Sequence, residues 1–435
     1  MTGRKAVVIL SGSGRKRLLG LTLRLRLILS AGAAGWTEFW LFHPDKAEAQ
    51  KAVFELFSDR RILNRDIRLK ILGPETPEND LSPSSPDDYL LFMEDNLAID
   101  PAIFSWLAEK LEGLSFPLAG LELQVKDSQK QPCRGLLAVR AGAGLDMVLS
   151  QIKSGKGLDE IRSGAKEAVA SLAPSGGFVV VVDDRKSFNL ASKLMLQTGR
   201  KPQDGIVARL INRRISLFLT KYFLYLNIHP IFQSLITLAV GLLSVVCVGY
   251  GREWLVPGGI LFELASIIDG CDGENARLTY RITRAGGTLD ITADAITFVS
   301  FFSALPVGLY RTYGEKFWLY VGAFALLSMT AFYLQLIKYA REKGLGHNIV
   351  AVVKEVEASQ KWPEFQTIFD RLAAGMAFVY RRDFFSTAAF IMIVAGLARQ
   401  AMVLVGLLAF LEAVYFFIYS LRKKKLESRE KGDFL

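Results

Sequence analysis

Four aspartates, Asp269, Asp272, Asp290 and Asp294, stand close together in otherwise small or apolar surroundings. They lie in Asp269-Gly-Cys-Asp272-Gly273-Glu-Asn-Ala276-Arg277, then eight residues, then Gly286-Gly-Thr-Leu-Asp290-Ile-Thr-Ala-Asp294. On a helix, Asp269, Asp272, Gly273, Ala276 and Arg277 fall within an arc of about 140°. Gly286, Asp290 and Asp294 are spaced by four and share a face of the next helix. Two helices whose ends meet at one loop set all four carboxylates across one cleft. An ionised Asp near hydrocarbon costs about 2.5–3.5 kcal/mol. Four also repel one another, so the cleft needs a cation. Hard oxygen ligands favour magnesium, calcium or manganese over zinc. Gly273 and Gly286 leave room for close approach of a ligand. Arg277 supplies a fixed fork suited to phosphate. Acidic ligands, small residues and a phosphate clamp point to metal-assisted phosphoryl transfer.

The elements that hold this cleft come in two kinds. The 435-residue chain is long enough for more than one domain. Its 51% hydrophobic content is unevenly spread. Charged and apolar residues mix up to about residue 225, and long apolar runs follow His229. Six segments are expected to cross a bilayer, each needing about 20 residues. They are Ile231–Tyr250, Trp254–Ile268, Gly287–Leu309, Phe317–Ala340, Phe384–Leu397 and Ala401–Leu421. The motif then sits where the second and third spans meet a common loop.

Charge gives the orientation. Arg277, Arg281, Arg284, Lys338, Arg341, Lys343, Arg381, Arg382 and Arg422 fall on one side, against Arg252, Arg311, Lys316 and Arg399 on the other. Basic loops stay inside, so both termini and the motif are expected on the cytoplasmic face of the cell membrane. Much of the net charge of +10 flanks the apolar runs, where it meets anionic lipid headgroups rather than nucleic acid. Cys133, Cys247 and Cys271 match no zinc spacing and no disulfide framework. Of the other spans, only two carry isolated carboxylates, Glu263 and Glu412, which make no continuous ion path.

Residues 1–200 read as a soluble α/β domain with a mostly parallel sheet. Strands are expected at Ala6–Leu10, Glu38–Phe42, Arg68–Leu72, Tyr89–Met93 and Phe178–Val182, and helices at Ala47–Phe57, Pro101–Leu111 and Leu145–Lys153. Residues 201–228 form a linker and an interfacial helix, Asp204–Leu226. Residues 229–435 form an all-α membrane domain. One or two surface helices are expected within 344–380. The motif lies wholly in the membrane half, so transfer is expected not to need residues before Gln203.

The pattern D-x2-D-G-x2-A-R-x8-G-x3-D-x3-D resembles the signature of the CDP-alcohol phosphotransferases, with every signature position filled. The resemblance implies a CDP-alcohol donor, an acceptor alcohol, release of CMP, magnesium or manganese, and a homodimer. It implies that Asp269, Asp272, Asp290 and Asp294 hold metal, and that Asp294 takes the acceptor's proton. Asp269, Gly273, Ala276, Arg277 and Gly286 would hold the CDP portion. Arg381, Arg382 and Lys338 would meet a phosphate on the acceptor. One departure appears: related enzymes often open the first span with Pro-Asn-x-x-Thr, and here Ile231 and Ser234 follow Pro230.

The soluble half resembles the sugar-phosphate nucleotidyltransferases. Ala6-Val-Val-Ile-Leu-Ser-Gly-Ser-Gly-Arg-Lys-Arg-Leu is similar to their opening strand and Gly-rich turn. Tyr89-Leu-Leu-Phe-Met-Glu-Asp95-Asn is similar to the strand ending in a metal-binding Asp, and Val181-Val-Asp183-Asp184 to a later acidic site. The basic Lys-Pro element is replaced by Leu21-Thr-Leu-Arg-Leu-Arg, so a degenerate cytidylyltransferase is expected. The alternative is a bifunctional enzyme that also makes its CDP-alcohol from CTP. The fused order resembles bifunctional inositol-phosphate enzymes that make di-inositol phosphate compounds.

Overall fold

A computed structural model describes residues 4–73, 76, 81, 89–112, 114, 116–124, 130–140, 143–165, 169–174, 176–200, 212–344 and 382–432. The chain forms two compact units. The first comprises Met1–Arg200, Lys221–Asn227 and Glu274–Ile282; the second comprises Lys201–Thr220, Ile228–Gly273 and Thr283–Leu435.

The first unit is built on a seven-stranded sheet. Its strands are β1 (Arg4–Ile9), β2 (Trp36–Phe42), β3 (Arg68–Leu72), β4 (Tyr89–Glu94), β5 (Leu118–Gln124), β6 (Lys130–Arg140) and β7 (Val169–Leu172). They lie in the order β7-β5-β6-β4-β1-β2-β3. β1 pairs in parallel with β2 and β4, as do β2 with β3 and β7 with β5; β6 runs antiparallel to β4 and β5. Both faces are covered. Ala6, Val8, Leu91 and Met93 pack into one apolar cluster, while Val7, Leu90 and Phe92 pack into another. That explains why these strands read as unbroken apolar runs. The helix α1 (Leu23–Ala33) begins at Thr22, whose hydroxyl accepts from Leu25 N at 3.3 Å.

Two expectations for this unit change. The strand expected at Phe178–Val182 is Val179–Val181, and it pairs antiparallel with Leu97–Ile99 outside the main sheet. β5, β6 and β7 were not expected. Gly120, Pro132 and Gly135 interrupt the apolar pattern through the first two, and their ladder carries an irregular register near Gly120.

The second unit is helical. Its elements are α2 (Arg213–Tyr225, shared with the first unit), α3 (Pro230–Tyr250), α4 (Leu255–Leu278, whose last turn joins the first unit) and α5 (Arg284–Tyr313). Then come α6 (Phe317–Glu342), α7 (Arg382–Val394) and α8 (Ala398–Gly432). Five helices, α3 to α6 and α8, are long and apolar enough to cross a membrane. The fifth of the six expected spans, Phe384–Leu397, is not of that length among the described residues. α7 has 13 residues, about 20 Å of helix against a hydrocarbon core of about 30 Å. Gly396 at φ +76° then turns the chain before α8. The expected second span was too short instead: α4 continues as helix through the acidic motif to Leu278. Residues 345–381, where surface helices and Arg381 were expected, lie outside the described residues.

Packing in this unit is aromatic and close. Phe262 of α4 stacks on Phe301 of α5 with ring centroids 3.8 Å apart. Pro306 inside α5 faces Gly322 of α6, where a Cβ would stand 2.4 Å from the proline ring.

Candidate active site

α4 supplies Asp269, and α5 supplies Asp290 and Asp294 one turn apart. One carboxylate oxygen from each lies within 4.8 Å of the other two, and all three side chains are half-buried. Oxygens on one magnesium or calcium ion sit about 2.0–2.6 Å from it, so opposite ligands lie about 4–5 Å apart. The triad therefore fits a hard divalent cation. α5 starts beside this group. Thr283 caps it, accepting from Gly286 N at 3.0 Å. A Cβ on Gly286 would meet only the Thr283 hydroxyl, and one on Gly287 would meet nothing within 4 Å. The start of α5 is open to a ligand at these two positions.

Asp272 is not in the triad. It is 5% exposed and accepts a hydrogen bond from the Ser234 hydroxyl of α3. Ser234 occupies the position where the related pattern has threonine, and it keeps the hydroxyl. Arg213, one of the basic residues that precede the first apolar run, is buried. Its Nη1 donates to Gly270 O at 3.3 Å, and a Cβ on Gly270 would stand 2.7 Å from that nitrogen. A cation thus lies beside the turn that bears Asp269. Only the run Asn212-Arg213-Arg214 signals it, and composition alone does not separate a site arginine from an anchor.

The remaining candidates are not carboxylates and add no ligand atom to the triad. Arg277 belongs with the first unit, where its Nε donates to Gly199 O at 2.7 Å. Ala276 and Gly273 are half-buried on α4. Lys338 is exposed on α6. Arg381 and the side chain of Arg382 lie outside the described residues. Sequence reasoning missed Gln233 and Thr237, both buried on α3. Their signal was a pair of polar residues four apart in an apolar span.

The first unit holds a second cluster. Strand order turns to opposite sides after β1 and β4, the kind of crevice where α/β sheets bind ligands. Ser11 and Asp95 stand there. Ser11 N and Oγ donate to Asp95 Oδ1 at 2.8 and 2.6 Å. Arg24 closes on Oδ2, with Nε at 2.8 Å and Nη2 at 2.7 Å. Asp95 is wholly buried, and a Cβ on Gly14 would stand 2.0 Å from its Oδ2. Burial pushes the Asp95 carboxyl up, against the opposing pull of Ser11 and Arg24. The carboxylate resembling a metal ligand is thus committed to an arginine. Asp183 accepts from Asn96 Nδ2 at 2.8 Å, and Asp184 caps the helix Arg185–Thr198 through Ser187. A cavity of about 230 Å³ adjoins the turn, lined by Gly14, Arg15, Arg17, Arg24, Asp59 and Arg61 among others.

Residues 228–365 match the family described as CDP-alcohol phosphatidyltransferase. The C-terminal half therefore carries a CDP-alcohol phosphotransferase domain, of the class of transferases that move substituted phosphate groups. Among curated proteins, the chain is similar to the "Bifunctional IPC transferase and DIPP synthase" of Thermococcus kodakarensis, 31% identical over 50% of this chain and 47% of that protein. The protein of the same description in Aquifex aeolicus is 30% identical over 42% of this chain and 41% of its own length. That of Rubrobacter xylanophilus is 34% identical over 29% of each. These matches span less than half the length of each relative.

Proposed function

We propose that this protein transfers an alcohol-bearing phosphate from a CDP-alcohol to an acceptor hydroxyl, using magnesium or manganese at Asp269, Asp290 and Asp294. The observation that carries this reading is the convergence of those three carboxylates within 4.8 Å. Asp272, held by Ser234 one turn from Asp269, is the fourth carboxylate of the site. When bound, the cation neutralises the donor pyrophosphate and the leaving phosphate. Asp294 takes the proton of the acceptor hydroxyl. The acceptor oxygen then bonds to the phosphorus that carries the alcohol, and the bond from that phosphorus to CMP breaks. Gly286 and Gly287 leave the start of α5 bare, so CDP can lie against its backbone. Ala276, Gly273 and Arg277 are assigned to the CDP portion. Arg381, Arg382 and Lys338 are assigned to a phosphate on the acceptor. The protein is read as a homodimer in the cell membrane with its site on the cytoplasmic face. The domains are read as 1–200, 201–228 and 229–435.

The test is CMP release from a panel of CDP-alcohols and acceptors by the purified chain. Release is expected to require added magnesium or manganese. Asp290→Asn is expected to lower it by about two orders of magnitude or more, the scale on which a lost charge-stabilising group acts. Full release in excess chelator would defeat the assignment. A second reading, synthesis of the CDP-alcohol by the first unit, draws on the word "bifunctional" in the relatives' descriptions. The Arg24–Asp95 pair favours the reading without it.

A further inference from the structure

Helix α3 carries a buried polar stripe. Gln233, Thr237, Gly241 and Ser244 are all buried and recur at three- and four-residue spacing, so they share one face. Ser244 satisfies its hydroxyl on Gly241 O at 2.6 Å, and Ser234 donates to Asp272. Gln233 and Thr237 differ. Gln233 is 0% exposed, and neither its Oε1 nor its Nε2 has a hydrogen-bond partner among the described residues. Thr237 is 2% exposed, and its Oγ1 has none either. Burying such groups unpaired is costly, and unpaired groups in a well-packed helix bundle call for an occupant.

Register places these groups. α3 and α5 run parallel: a Cβ at Gly241 would stand 2.3 Å from Thr297 Cγ2, one at Gly249 3.6 Å from Ala304 Cβ, and one at Gly251 2.3 Å from Gly308 O. One turn back from the Gly241–Thr297 level, Thr237 is level with Ala293 and Asp294. One turn further back, Gln233 is level with Asp290. Its neighbour Ser234 reaches Asp272 of α4. The unpaired amide and hydroxyl therefore stand on α3 at the levels of Asp290 and Asp294.

We propose that Gln233 and Thr237 bind vicinal hydroxyls of the reacting substrate, those of the donor's ribose or of a polyol alcohol. This rests on the transferase reading above. The chemistry follows from the groups. An amide offers one donor and one acceptor edge, and a threonine hydroxyl both donates and accepts, which matches a neutral hydroxyl pair. A phosphate has no donor for Gln233 Oε1, and neither residue carries the charge that a phosphate takes from arginine or lysine.

The test uses the full chain in detergent with three donors: CDP-glycerol, its 2′,3′-dideoxyribose form and CDP-ethanol. KM and kcat for CMP release are measured with each, together with the Tm shift that each produces. Gln233→Leu is expected to raise KM for CDP-glycerol about tenfold, the effect of one lost hydrogen bond. It should leave unchanged the KM of whichever donor lacks the recognised hydroxyls. A rise absent only with the dideoxy donor identifies ribose, and a rise absent only with CDP-ethanol identifies the polyol. The Tm without ligand should hold or rise, because an unpaired buried amide has been removed. Wild-type KM on all three donors, or an equal rise on all three, would overturn the assignment. Thr237→Val carries the same comparison should Gln233→Leu not fold. If the wild-type chain releases no CMP and gains no Tm from any donor, the transferase reading fails and takes this one with it.

Discussion

Arg26 Nη1 donates to the carbonyl of Leu278 at 2.8 Å, so within the first unit a residue of α1 caps the last turn of α4. The same guanidinium donates through Nη2 to Leu18 O at 2.9 Å and Leu19 O at 3.0 Å. Arg61 Nη1 donates to Thr279 O at 2.9 Å, and the Ser30 and Tyr280 hydroxyls bond to each other. A helix end leaves carbonyls without intrahelical partners, and a cation there also meets the negative end of the helix dipole. Burial lowers the Arg26 pKa to about 10, with Tyr280 pulling it up and Arg61 pushing it down. The group is still charged at pH 7.

Replacing Arg26 by methionine leaves these buried carbonyls without their donor, at about 1–3 kcal/mol for each unsatisfied group. Thermal unfolding of Arg26→Met in detergent is expected several degrees below wild type, with Arg26→Lys between them. An unchanged Tm would show that the cap contributes nothing. A chain beginning at Gln203 loses Arg26, Ser30 and Arg61 together. The motif's position implied that such a chain transfers unaided. The caps lead us to expect slower CMP release and a lower Tm from it.

The legible parts were those in which one local rule acts alone. β1, β2 and β4 announce themselves as apolar runs because both sheet faces are covered. The spacing of Asp269, Asp290 and Asp294 placed them on facing helix surfaces, and their oxygens do converge. β6 was hidden because Pro132 and Gly135 break its pattern, although the strand still pairs with β4 and β5. Partners distant in sequence were also hidden. Nothing near Asp95 names Arg24 as its counterion, and nothing near Leu278 names Arg26. α4 was cut short at Ile268 because hydropathy falls where the acidic motif begins, while the backbone stays helical to Leu278.

Two loops that the structure describes test the orientation read from the basic residues. Ile282, between α4 and α5, is 70% exposed and is flanked by Arg281 and Arg284. Glu315 lies between α5 and α6, at the other end of α5. By the distribution of basic residues, a cysteine at Ile282→Cys is expected to resist a membrane-impermeant maleimide in intact cells. A cysteine at Glu315→Cys is expected to react. Labelling at position 282 from outside would invert the orientation.

Cys133 gives a pH-dependent test of the first unit. It is 6% exposed in β6, and burial pushes its thiol up to about 12, with Arg162 opposing and Asp159 adding to the rise. A thiol reacts as thiolate, so alkylation of Cys133 in the folded chain should stay slow from pH 7 to 9, where an exposed cysteine accelerates. The sign for stability follows. Between the ordinary thiol range and about 12 the unfolded chain ionises while the folded one does not, so stability falls as pH rises through that window. Site-resolved mass spectrometry reads the first effect. Modification at pH 8 as fast as in a cysteine peptide would show that the strand opens.

Asp95 and Arg24 separate the two readings of the first unit. The pair is buried on both sides, with side-chain exposures of 0% and 6%. Removing one member of such a pair leaves an uncompensated charge, at about 3–5 kcal/mol. Arg24→Met and Asp95→Asn are therefore each expected to lower the Tm. If the cluster is structural, Asp95→Asn chains that remain folded should release CMP from a supplied CDP-alcohol at the wild-type rate. The wild-type chain should then form little CDP-alcohol from CTP and an alcohol phosphate. If Asp95 instead serves a nucleotidyl transfer, the wild-type chain forms CDP-alcohol readily with added magnesium, and Asp95→Asn abolishes that step while sparing CMP release. Measuring both reactions on the same folded sample separates the outcomes, because lost stability slows both reactions and a lost site slows only one.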